Sequence, residues 1–222
     1  MKPKLKKSKP KKHQPLSVQR IAICALKIAD KKGLDQLSMR SIATLLGVEA
    51  MSLYYHVPSK ASLMEAMVEQ IVGKLDTIQP SADWHETLTR VAQQWRSLAL
   101  AHPGAFPLLA TRGQTSPLLF ERYATLLAML IKAGLTPEDA ASALSSFFYA
   151  LNGYLLAAGA PVVFHEVPEP SSFPAMNPEA ASVFALVPNS VWDLTSEATF
   201  MRHLNFLLDA VAASLSPCRS EK

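Results

Sequence analysis

Cysteine, glycine and charge are all scarce in this chain of 222 residues, and each scarcity argues against a class of protein. Its two cysteines, Cys24 and Cys218, lie far apart, one in an apolar helical pattern and the other in a polar tail. Neither a disulfide framework nor a metal-ligand spacing follows. Cys24 reads as a small core residue of a protein made for a reducing compartment. Only 8 glycines are present, and no glycine-rich phosphate loop or nucleophile elbow is built from them. The 6 histidines are scattered, none paired with a cysteine or acid at metal spacing, and His102 before Pro103 reads as a helix end. These absences argue against an enzyme, and no cofactor or metal is expected. With 18% charged and 49% hydrophobic residues, the bulk of the chain is expected to be globular.

What charge there is lies unevenly. Residues 1–12 carry seven lysines and no acid, residues 13–75 are mildly basic, and residues 76–222 carry eight basic against thirteen acidic groups. A polyanion, if there is one, meets the N-terminal end. That end has no apolar h-region, so it does not read as a secretory signal, and a cytoplasmic location is expected. Residues 140–164 contain no charged residue and are long enough to span a bilayer. Ser142, Ser145, Ser146, Asn152, Gly153, Gly159 and Pro161 interrupt them, and no second such segment follows. A helix buried in a bundle or a subunit interface, rather than a membrane span, is the expectation.

No stretch alternates convincingly enough to form a strand, and the predicted fold is all-α. Residues 1–15 form a lysine-rich, proline-punctuated tail that cannot fold alone. A first helix starts at about Leu16 and stops at Lys32 and Gly33. A second, capped by Ser38, uses Ile42, Leu45 and Leu46 as its apolar face. A third begins near Glu49 and ends at Val57 and Pro58. Ser59 caps a fourth, striped by Leu63, Met67 and Ile71. These make a unit over residues 16–75, and longer apolar helices make a second over residues 80–216. In the latter, helices are expected from about Trp84 to the break at His102, Pro103 and Gly104, from Pro117 to Ala133, from Pro137 to Ala158, and from Ser196 to Leu215. Residues 160–178, with five prolines, read as a long loop or lid.

Residues 37–60, LSMRSIATLLGVEAMSLYYHVPSK, hold the most specific pattern. Ala43 is small enough for a close helix approach, Gly47 can take the positive φ of a sharp turn, and Leu53 points back into a shared core. This spacing predicts a helix-turn-helix, with an ordinary αα-hairpin as the plain alternative. With Leu53 inward, Ala50, Met51, Ser52, Tyr54, Tyr55 and His56 occupy the outer faces and the end of the third helix. Tyrosine hydroxyls suit phosphates, and apolar atoms suit the thymine methyl in a major groove. Arg40 and Lys60 flank the helix with charge. Taken singly, Arg40 is also a plain surface cation and His56 a capping residue.

The stretch LSMRSIATLLGVEAMSLYYHVPSKASLMEAMV resembles the DNA-binding domain of the TetR (tetracycline repressor) family. The resemblance covers about residues 16–72. It implies a three-helix reading head joined by a fourth helix to a larger helical bundle that dimerises and binds a ligand. It also implies that Arg40, Ala50, Met51, Ser52, Tyr54, His56 and Lys60 face double-stranded DNA, Arg40 at a base edge and Tyr54, His56 and Lys60 at the backbone. A weaker likeness to the tetracycline-repressor branch runs through Asp83-Trp84 and Ala101-His102-Pro103 to Thr111-Arg112. The metal-coordinating histidine of that branch falls near Leu108 or Leu109, and its pocket asparagine and phenylalanine fall near Val91 and Trp95. Magnesium-tetracycline is therefore not the implied ligand, and a more apolar effector is.

Aromatic and polar groups that interrupt the apolar helices are the candidate pocket residues: Trp95, Arg112, Tyr123, Phe147, Phe148, Asn152 and Tyr154. Each could equally fill core space. Asn152, an amide in an uncharged stretch, needs a partner, which a ligand or a backbone carbonyl could supply. A palindromic operator with half-sites roughly 34 Å apart requires a homodimer. The helices at 137–158 and 196–215 are the expected interface. The function that follows is a ligand-responsive, homodimeric repressor, and the alternative is a helical adaptor that binds protein partners only. The lysine tail is either a DNA-contacting arm or a solvated extension.

Overall fold

Small hydroxyl side chains at the chain breaks set where the helices begin. The computed structural model describes residues 15–79, 81, 83–112, 116–159 and 177–215. Ser17 accepts a hydrogen bond from the Arg20 amide and opens α1 (Val18–Lys32), which ends on Lys31 and Lys32 and turns at Gly33 with φ 82°. Both lysines oppose the negative end of the helix dipole. Ser38 and Ser41 cap each other reciprocally, each hydroxyl accepting from the other's amide at 3.1 Å, to start α2 (Met39–Leu46). Gly47, in the left-handed region at φ 69°, turns the chain into α3 (Ala50–Tyr54). Ser59 caps α4 (Lys60–Val72), accepting from the Ser62 amide at 3.0 Å.

These four helices share one core. Ile21 of α1, Ile42 of α2, Leu53 of α3, and Leu63 and Met67 of α4 are all buried. Side chains of this kind contribute about 1.5–3 kcal/mol each when fully buried, enough to hold a unit whose third helix is a turn and a half long. The Cys24 thiol, also buried, points at the Ile42 carbonyl oxygen at 3.9 Å. Burial pushes that thiol up, against the smaller opposing pull of Lys27 and Arg20, so it stays protonated and inert.

The larger unit contains α5 (Trp84–Ala101), α6 (Phe106–Arg112), α7 (Pro117–Lys132), α8 (Pro137–Ala158), α9 (Pro178–Ala185) and α10 (Glu197–Leu215). Proline at the first position of α7 and α8, behind caps Ser116 and Thr136, presets the helical φ where no amide donor is needed. α8 is the hub, packing on α5, α6, α7 and α10. Leu144, Phe147, Leu151 and Leu155 of α8 are buried, and so are Leu204 and Leu208 of α10. Every regular element among the described residues is helical, and no described helix is long and apolar enough to cross a membrane.

α1 and α4 dock the small unit on the large one. α4 packs on α6 and α7, and the end of α1 meets the corner between α5 and α6. At that corner Asp30 accepts from His102 Nδ1 at 2.8 Å and from the Ala105 amide at 3.2 Å. The carboxylate only accepts, so Nδ1 carries the proton and Nε2 is left facing Lys74 Nζ at 3.3 Å. Gly104 sits so close to α1 that a Cβ there would lie 2.0 Å from the Ala29 carbonyl oxygen.

Several sequence expectations need correction. Leu45 is 59% exposed rather than part of the inner face of α2, because Ile42 and Ala43 already fill the contact with α1. The third helix ends at Tyr54, short of Val57, although Val57 is buried. α6 was not expected, being too short to show a period, and neither was α9. Residues 160–176 of the expected loop, the tail at 1–14 and Cys218 lie outside the described residues.

The Gly104 contact is backbone against backbone and cannot be relieved by a rotamer change. Gly104→Ala is expected to destabilise the protein by about 1–3 kcal/mol, read as a lowered Tm in thermal melts. An unchanged Tm would show that the corner is not held against α1.

Candidate nucleic-acid interface and internal cavity

The outer surface of the small unit follows from the phase of α3. With Leu53 buried, Met51 is 68% and Tyr55 87% exposed, and Tyr54 is exposed beside them. Ala50 and Ser52 are half-buried at the edges of the same short helix, His56 is exposed just after it, and Arg40 and Lys60 are exposed in the first turns of α2 and α4. The structure thus places all eight residues singled out from the sequence on the small unit; Ala50 packs partly against its core, and the other seven lie outside that core. Thr44 and Leu45, exposed near the end of α2, adjoin the turn at Gly47 and were not singled out.

The larger unit encloses a cavity of about 470 Å³ between α5, α6, α7 and α8 and the segment that follows α4. That volume falls within the range of roughly 300–1,000 Å³ of small-molecule pockets. Four expected residues line it: Trp95 of α5, Tyr123 of α7, and Phe148 and Asn152 of α8. Trp95 Nε1 donates to Asn152 Oδ1 at 2.7 Å, so the amide's partner is an indole rather than a backbone carbonyl. Tyr123 Oη and Ser145 Oγ are 2.9 Å apart. Phe148 meets the Trp95 ring edge-on with centroids 5.8 Å apart, the favoured arrangement for such pairs.

Phe147 and Tyr154, expected beside them, do not line the cavity. Ser145, Phe148, Tyr149 and Asn152 share the cavity face of α8, and a step of one residue rotates Phe147 into the core with Leu144 and Leu151. Tyr154 faces α10 instead, with its ring 4.8 Å from that of His203, and its hydroxyl donates to the Leu194 carbonyl at 2.8 Å. Burial pushes its phenol up to about 12; Arg96 opposes this and Asp193 adds to it. Arg112 ends α6, and its side chain lies outside the described residues.

Sequence reasoning missed part of the lining. Leu75 and Ile78 come from the segment after α4, Gln94 from α5, and Phe120 and Arg122 from α7. Phe120 and Tyr149 are 70% and 66% exposed, which places them at the mouth. Arg122 was legible in principle as the one cation in α7 before its closing Lys132. It donates through Nη1 to the Asp76 carbonyl at 2.5 Å and through Nη2 to the Leu75 carbonyl at 2.8 Å. Gln94 in turn donates to the Asp76 carboxylate at 3.2 Å. The positions that the resemblance equates with a metal-binding histidine, Leu108 and Leu109, are buried leucines with no lone pair to offer.

The chain's sequence relatives agree with this layout. Residues 78–215 match the family described as tetracyclin repressor-like, C-terminal domain, and residues 24–67 match the bacterial regulatory proteins of the tetR family. The chain belongs to the TetR family. This TetR-family chain is 28% identical over 156 residues to the HTH-type transcriptional repressor DrrR1 of Streptomyces coeruleorubidus, a match covering 69% of this chain and 56% of that one. It is 31% identical over 144 residues to the class E tetracycline repressor protein of Escherichia coli, covering 64% and 68%. The chain therefore spans a little over half the length of the first of these curated relatives. A crystal structure of a possible TetR family transcriptional regulator from Streptomyces coelicolor A3(2) superposes with a TM-score of 0.74 at 29% identity, covering 89% of this chain and 99% of that one. These relatives are transcriptional regulators, not enzymes.

The Trp95–Asn152 bond joins α5 to α8 across the cavity. Asn152→Ala is expected to cost about 1–3 kcal/mol by stranding the indole N–H, and about 1 kcal/mol less in a Trp95→Phe background. Urea unfolding of the four proteins in this cycle checks it; strictly additive losses would show that the bond carries no coupling.

Proposed function

We propose that this TetR-family protein is a homodimeric repressor whose reading head, α1 to α4, binds a palindromic operator and is released when a small molecule fills the cavity. One observation carries this reading. The segment after α4 belongs to the head's lever and to the cavity at once. Lys74 faces the His102–Asp30 pair at the end of α1, and Leu75 and Ile78 line the cavity. Arg122 on α7 grips the Leu75 and Asp76 carbonyls between them. A ligand that shifts Leu75, Ile78 or Arg122 thereby shifts the end of α4, on which the head is mounted. The ligand's preference for one head position over the other sets how far DNA affinity falls.

In the head, Arg40 reads a base edge, and Met51 and Ala50 supply apolar contact where thymine methyl groups lie. Tyr54, Tyr55, His56, Ser52 and Lys60 fix the head against phosphates, which position without specifying. Two heads reach successive major grooves only as a dimer. The exposed Phe206 of α10 and the exposed Val183 and Leu186 near α9 support a face covered by a second copy. The names of the relatives, a transcriptional repressor and a tetracycline repressor, support repression as the sign of control.

Selection of bound DNA from a random pool by the full-length protein is expected to return a palindrome. On that site, Arg40→Ala should lose about tenfold or more in affinity and relax one base position. Lys60→Ala should weaken all sequences alike and reduce the salt slope by about one. Recovery of no enriched sequence, with no salt-dependent retention on DNA, would overturn the proposal in favour of a protein-binding adaptor.

A further inference from the structure

Among the described residues that line the cavity, Arg122 alone carries a charge. No carboxylate of the described residues lies within ion-pair distance of it. Its Nη1 and Nη2 each give one N–H to a main-chain carbonyl, and its buried Nε–H has no partner among the described residues. A guanidinium offers five donors in a fixed fork, so Nη1 and Nη2 each keep a second N–H beyond the one given to a carbonyl. Those remaining donors, on a charged group, suit a carboxylate, which accepts charge-assisted bonds from them. Around it the wall is hydrocarbon and aromatic, where the field of a lone cation is screened far less than in water. A neutral acceptor would satisfy the N–H and leave the charge uncompensated.

We infer that the effector is a small aromatic organic anion, with its acidic group on Arg122 and its ring body against Trp95, Tyr123, Phe148 and Tyr149. This assignment rests on the ligand-responsive reading above and names the chemistry of its ligand. It refines the expectation of a largely apolar effector: the body is apolar, and one end is acidic. It also explains how binding reaches the head. The same guanidinium holds the Leu75 and Asp76 carbonyls at the end of α4, so an anion that competes for it, or draws it inward, acts directly on the lever. The cavity volume of about 470 Å³ accommodates two or three fused rings.

The test uses the full-length protein, with 2-naphthoate and anthracene-2-carboxylate as probes, each beside its carboxamide. Calorimetric titration at neutral pH is expected to show a carboxylate at least tenfold tighter than its amide. In Arg122→Gln that preference should vanish while the amide's Kd moves less than about threefold, which also reports that the cavity is intact. Arg122→Lys should keep part of the preference, as a point charge without the fork. Equal affinities within both pairs, no binding by either carboxylate, or a preference that survives Arg122→Gln would each overturn the assignment. Release of the selected operator by neutral ligands alone would do the same while leaving ligand-responsive repression standing. A clear carboxylate preference in a protein that binds no DNA would uphold the anion site and sink the repressor reading.

Discussion

The carboxylate of Asp30 is the constraint on which the rest of this structure depends. It sits at the end of α1, is three-quarters withdrawn from solvent, and accepts from both the His102 ring and the Ala105 amide at the α5–α6 corner. Two charge-assisted bonds in a half-dry site are stronger and more directional than apolar contact. Apolar surfaces can slide, whereas a carboxylate shared between an imidazole and an amide fixes one register. Gly104 makes that register possible by letting the corner reach the α1 backbone. The unit of α1 to α4 is thereby held in one place on the larger unit.

In the proposed function, a joint of this kind turns the cavity into a regulator. The cavity lies beside the segment after α4, and that segment touches both sides: Lys74 faces His102, while Leu75 and Asp76 are bonded to Arg122. Packed cores respond to a ligand by switching between arrangements rather than by yielding continuously. In the function proposed for this chain, that one short segment is the switch.

Much of this was legible in the sequence because it rests on local chemistry. Ser38, Gly47 and Ser59 mark their caps and turn through backbone rules that act within a few residues, and Leu53 fixes the phase of α3. Trp95, Tyr123, Phe148 and Asn152 were found because polar or bulky groups in an apolar helix need somewhere to go. Phe147 and Tyr154 misled because one-residue differences in helical phase cannot be resolved without knowing where the neighbouring helices lie. Leu45 misled for a similar reason, its place in the apolar face being taken by Ala43. Asp30 with His102, and Arg122 with the Leu75 and Asp76 carbonyls, join positions dozens of residues apart, and no spacing rule connects them. α6 was hidden by its length.

The central claim is that the segment after α4 carries the cavity's signal to the head, while the Asp30 joint holds the end of α1 as the fixed point against which it acts. It is tested most directly by measuring, for wild type and Asp30→Asn, how many fold a releasing ligand lowers operator affinity, with ligand affinity measured separately by titration. The account predicts that Asp30→Asn binds the ligand within a few-fold of wild type while the release factor collapses toward one. A variant that releases DNA by the same factor as wild type would contradict it.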